Sequence, residues 1–254
     1  MSADRGVQGL PLHAEEITAG YGGSPIVHGI SISVEPGEVV SIVGPNGSGK
    51  STFLKSLVGL VEIHSGTVTV GDREVTGWPP ENVARIGLGY VPQVDDVFAP
   101  LTVRENLEMG GYLLRSAEIP ARLEHVLELF PQLARMLRRR AAKLSGGERK
   151  MLAMGRALML EPALIVLDEP TANLAPAVAR SVLTEHVRRL ALTGASVLIV
   201  EQRAKAVLEI SDRTYVLGGG RVLMEGTPAE LRTSAAFVDS FLGGGQRAAA
   251  PAAE

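Results

Sequence analysis

The sequence predicts an α/β fold built on a parallel sheet, and three observations carry that expectation. Short apolar runs at residues 39–43, 164–167 and 197–200 read as buried strands. Helical stretches separate them, and strand–helix alternation implies a parallel sheet with helices on its faces. The first run leads directly into a glycine-rich loop, Gly44-Pro45-Asn46-Gly47-Ser48-Gly49-Lys50-Ser51, and then into a helix.

The elements follow in order. Ile30, Ile32 and Val34 alternate with Ser31, Ser33 and Glu35, the period of a half-buried strand, and Pro36-Gly37 makes a turn. The helix after the glycine-rich loop is expected to span 50–61. Residues 67–70 alternate again before Gly71-Asp72. Residues 103–144 read as helices broken at Pro120 and Pro131, with an apolar stripe at Leu123, Val126, Leu127 and Phe130. Residues 177–192 read as a helix. Residues 215–217 and 221–224 read as a hairpin joined across Gly218-Gly219-Gly220. Residues 1–10 and the low-complexity end, 243–254, are expected to be disordered tails around one domain at 11–242. There is no internal repeat.

Composition narrows the function. Of 254 residues, 45% are hydrophobic and 21% charged, enough for a sizeable core and an ordinary surface. The net charge of -3 disfavours a dedicated nucleic-acid binder. The run Arg138-Arg139-Arg140 is read as a helix end, where cations are favoured. With no cysteine, disulfides, cysteine-ligated zinc and thiol catalysis are excluded. The five histidines show no metal spacing and are expected at the surface or as satisfied core residues. No apolar run approaches the roughly 18 residues of a membrane helix, so any membrane span would come from another chain.

The glycine-rich loop fits G-x-x-x-x-G-K-[ST] in its required context, after a strand and before a helix. Gly44, Gly47 and Gly49 let backbone N–H groups turn inward around phosphate oxygens, and the helix N-terminus adds its positive end. Lys50 is placed to reach the β- and γ-phosphates of ATP, Ser51 to ligate Mg²⁺, and Thr52 to bond the α-phosphate. A second feature is the apolar strand that ends in Asp168-Glu169. Carboxylates at a strand's C-terminal end sit where nucleotide sites form in such sheets. Asp168 suits the Mg²⁺ shell, directly or through water, and Glu169 suits the polarising of an attacking water.

Leu144-Ser145-Gly146-Gly147-Glu148 opens a helix between these two features. Here the chain resembles the ATPase subunits of ABC transporters, over about 12–242. The resemblance implies a P-loop NTPase ABC cassette: a RecA-like parallel core, an antiparallel β subdomain and an inserted α-helical subdomain at about 96–150. It implies that Tyr21 stacks on adenine, although by itself it reads as a strand-edge tyrosine. It implies that Gln93 ligates Mg²⁺ and senses a transmembrane partner. Ser145, Gly146 and Gly147 would cap ATP bound by a second ATPase subunit, so the working form is a head-to-tail dimer. Two transmembrane permease subunits, and indirectly a solute-binding protein, complete the implied assembly on the cytoplasmic side of the membrane.

Two positions depart from the commonest family pattern. Gln202 stands where most relatives have a histidine that bonds the γ-phosphate; its amide can donate but cannot titrate. Ala175 stands where most have an aspartate that helps couple the two sites. Leu174-Ala175-Pro176, Val200-Glu201-Gln202, the 109–112 segment Met-Gly-Gly-Tyr and the 151–159 helix together resemble one branch. That branch is the smaller ATPase subunit of branched-chain amino-acid importers. Importers of urea and short amides are close alternatives. A soluble ABC-type ATPase acting on nucleic acid is the more distant one.

Overall fold

Side-chain alternation along the buried strands decides the architecture. The computed structural model describes residues 7–242. In chain order the strands are β1 (Leu12–Tyr21), β2 (Ser24–Val34), β3 (Val39–Val43), β4 (Glu62–Val70), β5 (Arg73–Glu74), β6 (Leu88–Val91), β7 (Leu164–Asp168), β8 (Ser196–Glu201), β9 (Arg213–Gly218) and β10 (Arg221–Gly226). The helices used below are α1 (Lys50–Leu57), α2 (Pro80–Arg85), α3 (Val103–Gly110), α4 (Ile119–Leu129), α5 (Pro131–Ala134), α6 (Gly146–Leu158) and α7 (Pro176–Ser181).

The larger sheet runs β10-β9-β3-β8-β7-β6, parallel except for β10. Val39, Val43, Ile165, Leu167, Val197 and Ile199 enter one hydrophobic cluster, shared with α3, α4 and α6. Their neighbours Val40, Ile42, Leu164, Val166, Leu198 and Val200 enter the other, shared with α1 and a second, antiparallel sheet, β2-β1-β4-β5. Period-2 alternation therefore loads both faces, as a doubly covered parallel sheet requires.

The two sheets are stitched at two places: the His28 N–H on β2 donates to the Gly220 carbonyl between β9 and β10 at 2.8 Å, and Arg213 makes the larger contact. The Arg213 guanidinium meets Glu38 through Nε–Oε1 at 2.8 Å and Nη2–Oε2 at 2.9 Å. It also donates to the Ser33 carbonyl on β2 at 2.9 Å, and to Tyr215 Oη and Glu225 Oε1, both at 2.7 Å.

Several expectations change in detail. α1 stops at Leu57 because Gly59 adopts φ +74, and any Cβ there would lie 2.0 Å from the Trp78 carbonyl oxygen. Pro120 and Pro131 open helices α4 and α5 rather than break one, since the first turn needs no N–H from them. The basic run is not a helix end. It leaves α5 through a turn at 135–138 and ends in an isolated bridge between Arg140 and Thr102, where the Leu137 and Arg139 carbonyls accept from Arg104 and Val103 N–H and close the base of the helical insert. The 177–192 helix contains a π-helical segment, Val182–Val187. His186 is buried, packs edge-on against Phe130 at 5.6 Å, and has no partner at Nδ1. Burial lowers its pKa, so it is a neutral core group rather than a fully satisfied one. The N-terminal tail is shorter than expected: Val7 N–H bonds the Thr193 carbonyl and Leu10 N–H the Ala163 carbonyl. Residues 1–6 and the 243–254 tail lie outside the described residues.

Candidate active site

The C-terminal ends of β3, β8 and β7 lie side by side, and each strand delivers one part of the site. β3 runs into the glycine-rich loop. Gly47 and Gly49 have φ of +78 and +95, the left-handed region that turns the loop back on itself. Gly44 is forced by space: a Cβ would lie 2.3 Å from the Leu217 carbonyl oxygen and 2.7 Å from Ser48 Oγ. Pro45, Asn46 and Gly47 are exposed on the rim, while Ser48, Gly49 and Lys50 are buried beneath. The Lys50 ammonium is folded over the loop, donating to the Gly44 and Pro45 carbonyls at 3.0 and 3.1 Å. Ser51 and Thr52 begin α1, both partly buried.

β7 delivers the two carboxylates to opposite tasks. Asp168 Oδ1 accepts the Ser51 hydroxyl at 2.7 Å, and Oδ2 accepts Tyr90 Oη at 3.4 Å. Burial, then the Asp168 charge, pushes the Tyr90 pKa up, so its phenol stays protonated as a donor. Glu169 has φ +43, a strained conformation for a non-glycine residue. Its two oxygens face different groups: Oε1 lies 3.6 Å from Lys50 Nζ, and Oε2 accepts Gln93 Nε2 at 2.7 Å. Gln93 comes from the segment after β6. Two side-chain groups thus stand on neighbouring residues, Ser51–Asp168–Tyr90 and Lys50–Glu169–Gln93.

β8 ends in Glu201, 1% exposed, which accepts the Thr171 N–H at 3.0 Å. Burial pushes its pKa up, and the Glu169 charge adds to that against the Thr171 hydrogen bond. Gln202 is exposed beside it. A cleft of about 400 Å³ is lined by Asn46, Gly47, Gln93, Glu169, Asn173 and Gln202, among others. Tyr21 does not line it; it stands 52% exposed at the end of β1. Nor do Ser145, Gly146 and Gly147 line it. Those three start α6, where Ser145 Oγ accepts Glu148 N–H at 3.4 Å and Glu148 Oε2 accepts Ser145 N–H at 2.7 Å, a reciprocal cap.

The donor set suits a hard divalent cation. Ser51 hydroxyl, Asp168 carboxylate and the Gln93 amide are oxygen ligands of the kind Mg²⁺ takes alongside phosphate oxygens. Among the described residues no group of three or more His, Asp or Glu could hold a metal alone. Tyr90, Glu201 and Arg203, whose Nη2 donates to the Leu174 carbonyl at 2.7 Å, are contributors the sequence did not single out. Only Glu201 had a signal there, as an acid closing an apolar run.

Comparison with known proteins agrees with this geometry. The family model described as "ABC transporter" matches residues 27–172. The chain is 40% identical over 233 residues to the high-affinity branched-chain amino acid transport ATP-binding protein BraG of Pseudomonas aeruginosa, covering 92% of this chain and 100% of that one. It is 41% identical to the probable branched-chain amino acid transport ATP-binding protein LivF of Archaeoglobus fulgidus, covering 87% and 93%. Among solved structures, the ADP conformation of an ATP-binding cassette of an ABC transporter superposes with a TM-score of 0.81 at 30% identity, covering 92% and 99%.

Proposed function

The chain belongs to the ABC transporter family, and on that premise we propose that it is the ATP-hydrolysing subunit of an importer of branched-chain amino acids. The observation that carries the ATPase reading is the Lys50–Glu169–Gln93 network beside Ser51 and Asp168. ATP phosphates rest on the backbone of the 44–51 loop, and Lys50 turns from the Gly44 and Pro45 carbonyls to the β- and γ-phosphates. That turn frees Glu169 Oε1 to accept a proton from the attacking water, while Gln93 holds Oε2 in place. Gln202 donates its amide toward the γ-phosphate. Bound Mg²⁺, held by Ser51, Asp168 and Gln93, would neutralise charge on the phosphate oxygens. Tyr21 stacks on adenine.

Two observations support the implied partners. Ser145–Gly147 lie away from the cleft, as expected if they complete the site of a second ATPase subunit. A separate cleft of about 460 Å³ carries exposed Leu60, Met109 and Tyr112, an apolar rim suited to a permease subunit. No helix among the described residues is long and apolar enough to span a membrane, so the proposed place of work is the cytoplasmic face of one, held there by its partners.

Glu169→Gln tests the chemistry. It keeps an acceptor for Gln93 and removes the base, so ATP binding is retained while turnover falls by about 10²–10⁴-fold. Unchanged hydrolysis would refute the assignment. Uptake assays with the co-expressed permease test the solute: leucine transport supports the reading, and transport of urea alone overturns it.

A further inference from the structure

Beyond the network around Glu169, one buried cation has no part in the site described so far. Lys150 lies on α6, four residues after Gly146, and is 2% exposed. Its ammonium lies 2.8 Å from Asp96 Oδ2 and donates to the backbone carbonyl of Gln93, also at 2.8 Å. Asp96 is itself 5% exposed, and is further held by Arg149 Nε at 3.6 Å and by Arg156, which donates to its carbonyl.

A buried ion pair is weak evidence for stability, because desolvating both charges offsets most of their attraction. What the pair fixes here is a backbone position. The Gln93 carbonyl is gripped by Lys150 while the Gln93 side chain grips Glu169 Oε2 at 2.7 Å. Two hydrogen bonds therefore separate α6 from the carboxylate. α6 runs from Gly146 and is capped by Ser145, so one helix carries both the Ser-Gly-Gly segment and the cation bound to the Gln93 carbonyl.

We propose that Lys150 is a positioning residue for Glu169, and that it relays movement of the Ser145–Gly147 end of α6 to this chain's own site through Gln93. The inference rests on the ATPase reading above. When a partner's nucleotide draws on Ser145–Gly147, α6 shifts, Lys150 carries the Gln93 carbonyl with it, and the amide re-aims Glu169. The chain would thereby sense occupancy of the site it completes in its partner.

The test uses the full chain in complex with the ATPase and permease subunits that co-purify with it. Lys150→Met removes the donor but leaves Asp96 buried with one less cation. Lys150→Met/Asp96→Asn removes both charges and isolates the question of position from that of stability. Lys150→Arg keeps a donor. Turnover should fall by about 10-fold or more in the first two, with fluorescent-nucleotide affinity unchanged and ATP cooperativity reduced, because small misplacements of a base are costly. Lys150→Arg should recover most of the rate. The double variant should melt close to wild type and remain slow. A double variant that regains wild-type turnover together with stability would show a merely structural role and overturn the proposal. So would full turnover in Lys150→Met. A wild-type complex that binds ATP without hydrolysing it, or full activity in Glu169→Gln, would instead refute the ATPase reading itself.

Discussion

Replacing Arg213 with methionine should cut the larger of the two stitches between the sheets, and the structure sets the size of the effect. Arg213 is 21% exposed and Glu38 16%, so their bidentate contact is only partly screened. Hydrogen bonds to charged groups contribute about 1.5–3 kcal/mol each, but the two to Glu38 share one carboxylate and are taken together as about 2 kcal/mol. The Glu225 partner is 46% exposed and adds under about 1 kcal/mol. With the Ser33 carbonyl also losing its donor, the loss is about 3 kcal/mol. For a chain of this size that lowers Tm by roughly 6–12 °C, measurable by thermal denaturation followed by circular dichroism. The effect has a pH signature. Burial raises the Glu38 pKa, but hydrogen bonds from Arg213 and the Glu35 backbone and the Arg213 charge outweigh it, leaving it below its ordinary 4.5. A depressed carboxylate stabilises the fold above that ordinary value and loses the contribution as pH falls through the folded-state pKa. The difference between wild type and variant should therefore be full at neutral pH and shrink below 4.5. A Tm within about 2 °C of wild type at neutral pH would refute the reasoning.

Two other changes probe the site directly. Gly44→Ala would push a methyl within 2.3 Å of the Leu217 carbonyl oxygen, so the loop must open. Fluorescent-nucleotide titration should show affinity weakened by about 10-fold or more while circular dichroism stays native. Glu201→Gln keeps an acceptor for the Thr171 N–H but removes a carboxyl whose pKa burial pushes up. A raised carboxyl favours the fold below its unfolded value and loses that contribution as pH rises through the folded one. The variant should therefore match or exceed wild-type stability at neutral pH, and its advantage in urea midpoint should grow with pH.

The strands of the parallel core were legible because both faces are buried and short apolar runs result. β1 was not, because Ala14-Glu15-Glu16-Ile17 interrupts its alternation with a register shift, and Glu16 takes φ +50. β6 was hidden by its four-residue length and by Gly89. The phosphate loop and the Asp168-Glu169 pair declare themselves as contiguous residues. The links between them do not: Tyr90 to Asp168, Gln93 to Glu169 and Lys150 to Gln93 join segments distant in sequence. Nothing local marks Lys150 as buried, since a lysine in the first turns of a helix is ordinarily solvated.

The positive φ of Glu169 sets backbone comfort against chemistry at one position. Glycine would occupy φ +43 with least strain, and asparagine or aspartate more easily than glutamate. Glycine has no carboxylate, asparagine has no base, and aspartate is one methylene too short to span from the strand end to both Lys50 and Gln93. On the role proposed for Glu169, a library selected only for thermal stability would drift away from glutamate here and accumulate folded, nucleotide-binding, inert chains. Stabilising this protein by consensus or directed evolution requires that residue 169 be held fixed from the outset.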